Sequence, residues 1–263
     1  MMGKVHCVFT RAIVRPPSKN FADGLTTVEL GKPDYELALE QHEIYCRALE
    51  HCGLSLTRLA ADERYPDSTF VEDTAIVTER GAVIARPGAV SRLGEIEQIK
   101  SVLRDYYPQL REIRAPGTLD GGDVCEAGDN FFIGVSHRTN EDGAQQLAAL
   151  LAEFGYGSTL IDIRGLSNIL HLKSGLAYLG GKRLLVIDDL KELSGFSDYE
   201  LVNLESTEAY AANCLLINDR VFVASGFPRL RRELETLDYE TVVLEMSEFQ
   251  KMDGGLSCLS LRF

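Results

Sequence analysis

No stretch of this sequence reaches 18 consecutive apolar residues, so no membrane-crossing helix is expected. The six cysteines, at positions 7, 46, 52, 125, 214 and 258, never show the two-residue spacing of a zinc knuckle or a redox motif. A chain of 263 residues can bury its core without disulfide staples, so paired cysteines are not needed for stability. Positive charge is also in short supply: 27 Lys and Arg stand against 40 Asp and Glu, a net charge of -13. That deficit argues against nucleic acid and anionic membrane as partners; it serves solubility and mildly favours a cationic small molecule. The start, "MMGKVHCVFTRAIVRPP", brackets too short an apolar run with Arg11 and Arg15 to be a secretory signal. The expectation is a reduced, soluble, cytoplasmic protein.

What is present is an alternation of strands and helices. "LSLTRLA" (54–60), "FVEDTAIVTE" (70–79) and "GAVIARP" (81–87) read as strands separated by turn signals. Residues 95–106 then place Ile96, Ile99, Val102 and Leu103 on one helical face. The pattern recurs as "REIRAP", "DVCEAG", "NFFIGVS" and the helix "EDGAQQLAALLAEFG", then as "STLIDIRG", "HLKSGLAYLG", "RLLVID" and a helix-poor polar stretch. "LVNLES", "ANCLLIND", "VFVASG", the helix "RLRRELETL", "TVVLEMS" and "LSCLSLRF" follow. Aligning Asp73, Asp123, Lys173, Asn213 and Cys258 as residues that open equivalent strands gives separations of 50, 50, 40 and 45 residues. Such a period marks blades or solenoid units. The prediction is one domain, residues 1–263, an α/β fold of five blade-like strand-strand-strand-helix repeats, with the first strand "VHCVFTRAIV" completing the last blade. A doubly wound sheet fits the alternation as well.

In a propeller, equivalent positions of distant repeats converge on one axis, which groups Asp73, Asp120, His171 and Cys258. A cysteine in an apolar strand is more often inert, but "DGG" before Cys258 and Ser257 beside it allow close approach of a ligand. A thiolate nucleophile needs an acid or base partner. His171 in "NILHLKSGL" opens a strand as Cys258 does, whereas His42 and His51 fall in a long helical stretch, His6 in the first strand and His137 in a polar loop. "TLDGGD" (118–123) offers Asp120 and Asp123, either as turn residues or as a carboxylate that orients the histidine. "PDSTFVED" carries Asp67, Glu72 and Asp73; without a cluster of further oxygen or histidine ligands, these acids suit a planar guanidinium better than a metal. Arg92 and Arg138 each precede a helix, where they either decorate its start or clamp a carboxylate. Acids for a cation and arginines for a carboxylate together imply an amino acid with a guanidine side chain.

At these residues the chain resembles the dimethylarginine dimethylaminohydrolases, five-bladed propeller enzymes (pentein type) of the guanidine-modifying superfamily. The motifs run in order along nearly the whole chain: "DGLT", "PDSTFVEDTA", "RPGAVSR", "TLDGGD", "RTNEDGA", "LHLKSGL", "YAANC" and "DGGLSCLSLRF". The resemblance implies that Cys258 is the nucleophile, His171 the general acid and base, and Asp120 its supporting carboxylate, where some bacterial relatives have Glu. It further implies that Asp73, with Glu72 beside it, pairs the guanidinium. Asp67 and the backbone of Leu25, on a mobile loop, would hold the α-amino end, and Arg92 and Arg138 the α-carboxylate. Met252 and Ser257 would line the pocket near the nucleophile. The implied reaction is hydrolysis of Nω-methylated arginines to citrulline and an amine through a covalent thiouronium on Cys258, a thiol until the cationic substrate binds. No cofactor and no structural metal is implied; the partner is a small molecule, and a homodimer is allowed. Two alternatives remain. An arginine deiminase would carry a helical insertion and a second guanidinium-binding aspartate where this chain has Lys173. A non-catalytic propeller would have no use for Cys258 and His171 together.

Overall fold

The computed structural model describes residues 8–263; His6, Cys7 and the beginning of the expected first strand lie outside the described residues. Fifteen strands form five separate three-stranded sheets. In chain order the elements are β1 (Arg11–Val14), α1 (Tyr35–His51) and β2 (Ser55–Arg58), then β3 (Ala75–Thr78), β4 (Gly81–Ile84), α2 (Ile96–Leu103) and β5 (Leu110–Glu112). Next come β6 (Val124–Ala127), β7 (Asn130–Val135), α3 (Glu141–Glu153) and β8 (Gly157–Asp162). They are followed by β9 (Leu176–Gly180), β10 (Arg183–Ile187), α4 (Asp188–Lys191) and β11 (Glu200–Leu204). The last set is β12 (Leu215–Ile217), β13 (Arg220–Ala224), α5 (Pro228–Thr236), β14 (Glu240–Leu244), α6 (Ser247–Gln250) and β15 (Ser260–Arg262). Among the described residues, no helix is long and apolar enough to cross a membrane.

Every sheet repeats one rule: the middle strand pairs antiparallel with one neighbour and parallel with the other. The repeat has the expected strand, strand, strand and helix, but the helix lies between the second and third strands. Parallel neighbours need a crossover connection, and the helix supplies it. "REIRAP" therefore closes its own repeat, with β5 on β4, rather than opening the next one. The helix-poor stretch of the fourth repeat crosses over with only the four-residue α4. Likewise β15 pairs with β1, the closure expected of the first strand.

The middle strands are legible in sequence because they are covered on both faces. β4 is buried throughout, and only the first residue of β7, β10 and β13 is not. Such strands read as continuous apolar runs. Third strands such as β8 keep one residue buried and are correspondingly polar.

The chain divides into two compact units, residues 73–213 and residues 8–72 together with 214–263. The first holds the sheets of β3–β5, β6–β8 and β9–β11; its core sets Val83, Phe131 and Ile133 against Leu147 and Leu151 of α3. The second holds the remaining two sheets, with Phe21, Phe70 and Phe249 in mutual ring contact at centroid distances of 5.6 to 6.4 Å.

One regularity positions the chemistry. A short 3-10 turn precedes the first strand of each hairpin: Val71–Thr74, Gly121–Asp123, Leu172–Ser174, Ser206–Ala212 and Ser257–Leu259. Asp73, Asp123, Lys173 and Cys258 lie in these turns, and Asn213 ends the fourth. The five aligned residues recur at the same place to within a residue, but in turns ahead of the strands rather than opening middle strands. In particular "FVEDTAIVTE" is not one strand; its acids occupy a turn and the strand begins at Ala75. Acidic side chains that take hydrogen bonds from the backbone compete with a β-ladder, and the turn resolves that competition.

Candidate active site

Within residues 73–213, three of these turns gather the acid and base groups. His171 is buried, and its Nε2 lies 3.0 Å from Oδ2 of the fully buried Asp120. The other Asp120 oxygen accepts the Gly88 N–H at 2.8 Å, so the "RPGAVSR" motif helps fix the carboxylate. Asp123 anchors the turn that carries the histidine. It accepts from Leu172 N at 2.9 Å and from the hydroxyls of Ser136 and Thr139, each at 2.6 Å. The resemblance assigned no part to Asp123; its function is to hold His171 in place.

Burial alone would lower the pKa of His171, but the carboxylates of Asp73, Asp123 and Asp120 outweigh it and raise the value to about 9. Burial likewise pushes Asp73 up, yet the His171 charge, the Arg92 guanidinium and the Gly122 N–H bring it down to about 2. His171 is therefore an imidazolium among carboxylates. With Nε2 committed to Asp120, Nδ1 is the nitrogen left for proton exchange.

Gly122 explains part of "TLDGGD". Its N–H donates to Asp73 Oδ1 at 2.8 Å, and an added Cβ would lie 2.7 Å from His171 Nδ1 and 2.9 Å from that same Asp73 oxygen. Gly122→Ala should therefore displace either the imidazole or the carboxylate. A misplacement of about 1 Å costs on the order of a hundredfold in rate. Steady-state kinetics of the variant should show that loss chiefly in kcat, with circular dichroism unchanged.

The two arginines differ. Arg92 is buried in an ion-pair network, with Nη1 2.6 Å from Asp73 Oδ2, Nε 3.0 Å from Glu95 Oε1 and Nη2 2.9 Å from Glu95 Oε2. Glu95 was not singled out in the sequence, since a glutamate at the start of a helix carries no distinctive signal. Arg138 is half-buried, its N–H donates to Ser136 Oγ at 3.0 Å, and it has no ion-pair partner among the described residues. Lys173 is half-buried, and its carbonyl accepts from Asn213 Nδ2 at 2.9 Å.

The unit of residues 8–72 and 214–263 carries the thiol. Among the described cysteines, Cys46, Cys125 and Cys214 are buried, and burial raises Cys46 to about 12. Cys258 is partly exposed, and the Gly255 N–H points at its Sγ at 3.4 Å, a donor suited to a thiolate. The preceding Gly254 faces protein: an added Cβ would lie 2.2 Å from the ring of Phe70. Beside the thiol, Ser257 Oγ donates to Glu72 Oε2 at 2.7 Å, and Arg262 Nη2 donates to Glu72 Oε1 at 3.0 Å. Arg262 Nη1 also donates to the carbonyls of Ser257 and Ser260 at 3.0 and 2.6 Å. Glu72 thus locks the turn that bears Cys258. Arg262 escaped sequence reasoning because a single arginine in a strand looks like any surface residue.

In the same unit Asp67 is buried and accepts the Leu25 N–H at 3.0 and 3.3 Å through its two oxygens. An ammonium only donates hydrogen bonds, so the Leu25 backbone group able to receive one is its carbonyl. The loop bearing Leu25 is tied down by Thr26 Oγ1 on the Lys251 carbonyl and Thr27 Oγ1 on Asp253 Oδ2, each at 3.0 Å. Met252 is buried, its terminal methyl 3.2 Å from where a Cβ on Gly24 would stand.

Ligand atoms of Asp73, Asp120 and His171 all lie within 4.8 Å of one another, close enough to share a cation. The sequence showed no such cluster because these residues span roughly a hundred positions. Here the Arg92 guanidinium and the protonated imidazole supply the positive charge.

An arginine deiminase family model matches residues 63–190. The N(G),N(G)-dimethylarginine dimethylaminohydrolase of Pseudomonas aeruginosa is 45% identical over 257 residues, covering 97% of this chain and all of the relative. Its counterpart in Streptomyces coelicolor is 35% identical and covers 96% of each chain. A solved structure of the P. aeruginosa enzyme, a cysteine-to-serine mutant complexed with citrulline, matches with a TM-score of 0.94 at 44% identity over 98% of this chain and 100% of that one. The fold class is thereby the five-bladed α/β propeller of pentein type that the resemblance implied, with the five blade-like repeats read from the sequence. Sequence, fold and the turn-borne acid–base residues agree: the chain belongs to the dimethylarginine dimethylaminohydrolase family.

Proposed function

We propose that this protein hydrolyses Nω-methylated arginines, asymmetric dimethylarginine and monomethylarginine, to citrulline and dimethylamine or methylamine. The observation that carries the reading is the buried Asp120–His171 pair at 3.0 Å, an acid–base unit for a leaving amine, in a chain that belongs to this family. Cys258 is the nucleophile, His171 the proton carrier and Asp120 its support. Asp73 receives the substrate guanidinium, Asp67 and the Leu25 carbonyl the ammonium, and Arg92 and Arg138 the α-carboxylate. Glu72 stands beside Asp73 at the guanidinium, and Ser257 and Met252 line the pocket near the thiol.

The Cys258 thiolate attacks the guanidinium carbon. Protonated His171 gives its proton to the substituted nitrogen, the C–N bond breaks and the amine departs. A thiouronium remains on Cys258. Neutral His171 then takes one proton from water, whose oxygen attacks the same carbon; the C–S bond breaks, the remaining hydroxyl proton passes to the departing sulfur, and citrulline leaves with the imidazolium and the Cys258 thiol restored. Dividing one difficult C–N cleavage into two steps is the advantage of the thiol. The substrate cation and the Gly255 N–H both favour the thiolate, so a thiol in the free enzyme ionises when substrate binds. A titration showing Cys258 fully ionised in the free enzyme at neutral pH contradicts that coupling.

The family model of arginine deiminase over residues 63–190 keeps a second reading in view, arginine to citrulline and ammonia. Lys173, two residues after His171, weighs against it, because a cation cannot bind a guanidinium and leaves room for a methylated nitrogen. The test compares dimethylamine released from dimethylarginine with ammonia released from arginine. Citrulline and dimethylamine should form in equal amounts and faster; faster turnover of arginine reverses the assignment. We further propose that both units serve a single catalytic domain, residues 1–263. That domain needs no cofactor, acts in the cytoplasm and is compatible with a homodimer.

A further inference from the structure

We propose that the Arg92–Asp73 ion pair makes guanidinium binding conditional on a carboxylate in the same ligand, with Glu95 as the residue that keeps Arg92 positioned for the exchange. This rests on the assignment of Asp73 and Arg92 given above. Asp73 is the acceptor assigned to the substrate guanidinium, yet its Oδ2 already holds a guanidinium, that of Arg92, at 2.6 Å. Its Oδ1 is engaged by the Gly122 N–H at 2.8 Å. An incoming guanidinium therefore competes with a chemically identical group of the protein.

The outcome of that competition depends on what Arg92 receives in return. Arg92, Asp73 and Glu95 are all buried, with 5%, 3% and 2% of their surfaces exposed, so water is a poor substitute for a lost partner. A ligand that carries both a guanidinium and a carboxylate replaces the Asp73–Arg92 pair with two new ones. Asp73 takes the ligand cation, and Arg92 takes the ligand anion. A guanidine without a carboxylate removes Asp73 from Arg92 and offers nothing back. Glu95, held by Arg92 Nε and Nη2, tethers the arginine through the exchange. The arrangement thus rejects decarboxylated guanidines, including alkylguanidines and aminobutylguanidines, beyond what losing a simple carboxylate clamp would cost.

The proposal separates from a simple clamp by sign. The probes are dimethylarginine and its decarboxylated counterpart, dimethylated on the same nitrogen, with binding read by calorimetry or by inhibition. In the charge-balanced variant Arg92→Gln with Glu95→Gln, Asp73 has lost its competitor. The decarboxylated probe should then bind about tenfold tighter than to the wild type, while dimethylarginine binds more weakly. A simple clamp predicts no gain for the decarboxylated probe, and no gain overturns the proposal. A second measurement uses the unmodified protein. Acetate at fixed ionic strength should tighten binding of the decarboxylated probe by supplying the missing anion, and chloride should not. Independent binding of acetate and probe also overturns the proposal. Turnover of dimethylarginine by the wild type is followed in the same experiments, so failure of the proposed function is seen separately from failure of the exchange.

Discussion

Cys258→Ser should lower kcat for dimethylarginine by about 10⁵-fold, close to 7 kcal/mol of transition-state stabilisation. The expected loss is large because the replacement removes ionisation rather than volume. A serine hydroxyl stays protonated near neutral pH, and the Gly255 N–H at 3.4 Å from Sγ assists an anion that the hydroxyl does not become. The other described cysteines do not substitute for it: Cys46, Cys125 and Cys214 are buried, and burial raises the pKa of the half-buried Cys52. Substrate should still bind, since the assigned partners of its charged groups, Asp73, Asp67, Arg92 and Arg138, are untouched. Quenched reactions of the wild type should show by mass spectrometry an adduct on the peptide containing Cys258, absent from the variant. If the variant releases citrulline at the wild-type rate, the covalent route is wrong and the non-catalytic alternative for Cys258 returns.

The positions of the aligned polar residues were legible in sequence for a structural reason. Asp73, Asp123, Lys173 and Cys258 sit in 3-10 turns ahead of equivalent strands, so a fixed architecture repeats their spacing. Middle strands were legible too, because burial on both faces leaves continuous apolar runs. The phase of the repeat was not: nothing local in "REIRAP" shows that it pairs parallel with β4, a contact made across the intervening α2. The ion pairs were equally hidden. Glu72 meets Ser257 and Arg262 across 185 and 190 residues, and no local pattern distinguishes those partners from surface charges. Arg92 was legible as a candidate carboxylate clamp from its place before a helix and from the family motif. Its engagement with Asp73 and Glu95 is visible only in the fold.

His171→Asn should lower kcat by about 10³- to 10⁴-fold, the range of a lost general acid and base. It should also remove a pH dependence that the wild type carries. Burial opposes protonation of His171, but Asp73, Asp123 and Asp120 together hold the imidazolium up to about pH 9, against 6.5 for an unperturbed ring. The acid needed to expel the amine is therefore present at neutral pH, and kcat/KM should fall tenfold per unit as pH rises beyond about 9. In the variant that alkaline limb should be absent. Asp120→Asn provides the intermediate case: with one carboxylate neutralised, the limb should move below 9. The same shift links to stability. A ring whose folded pKa lies above its unfolded value stabilises the fold fully below 6.5 and loses that contribution between 6.5 and about 9. Denaturant midpoints of the wild type should accordingly decline across that window more steeply than those of His171→Asn. A kinetic limb left unmoved by Asp120→Asn would show that Asp120 orients the ring without setting its charge. The protonation of the ring would then have to come from the charges of Asp73 and Asp123.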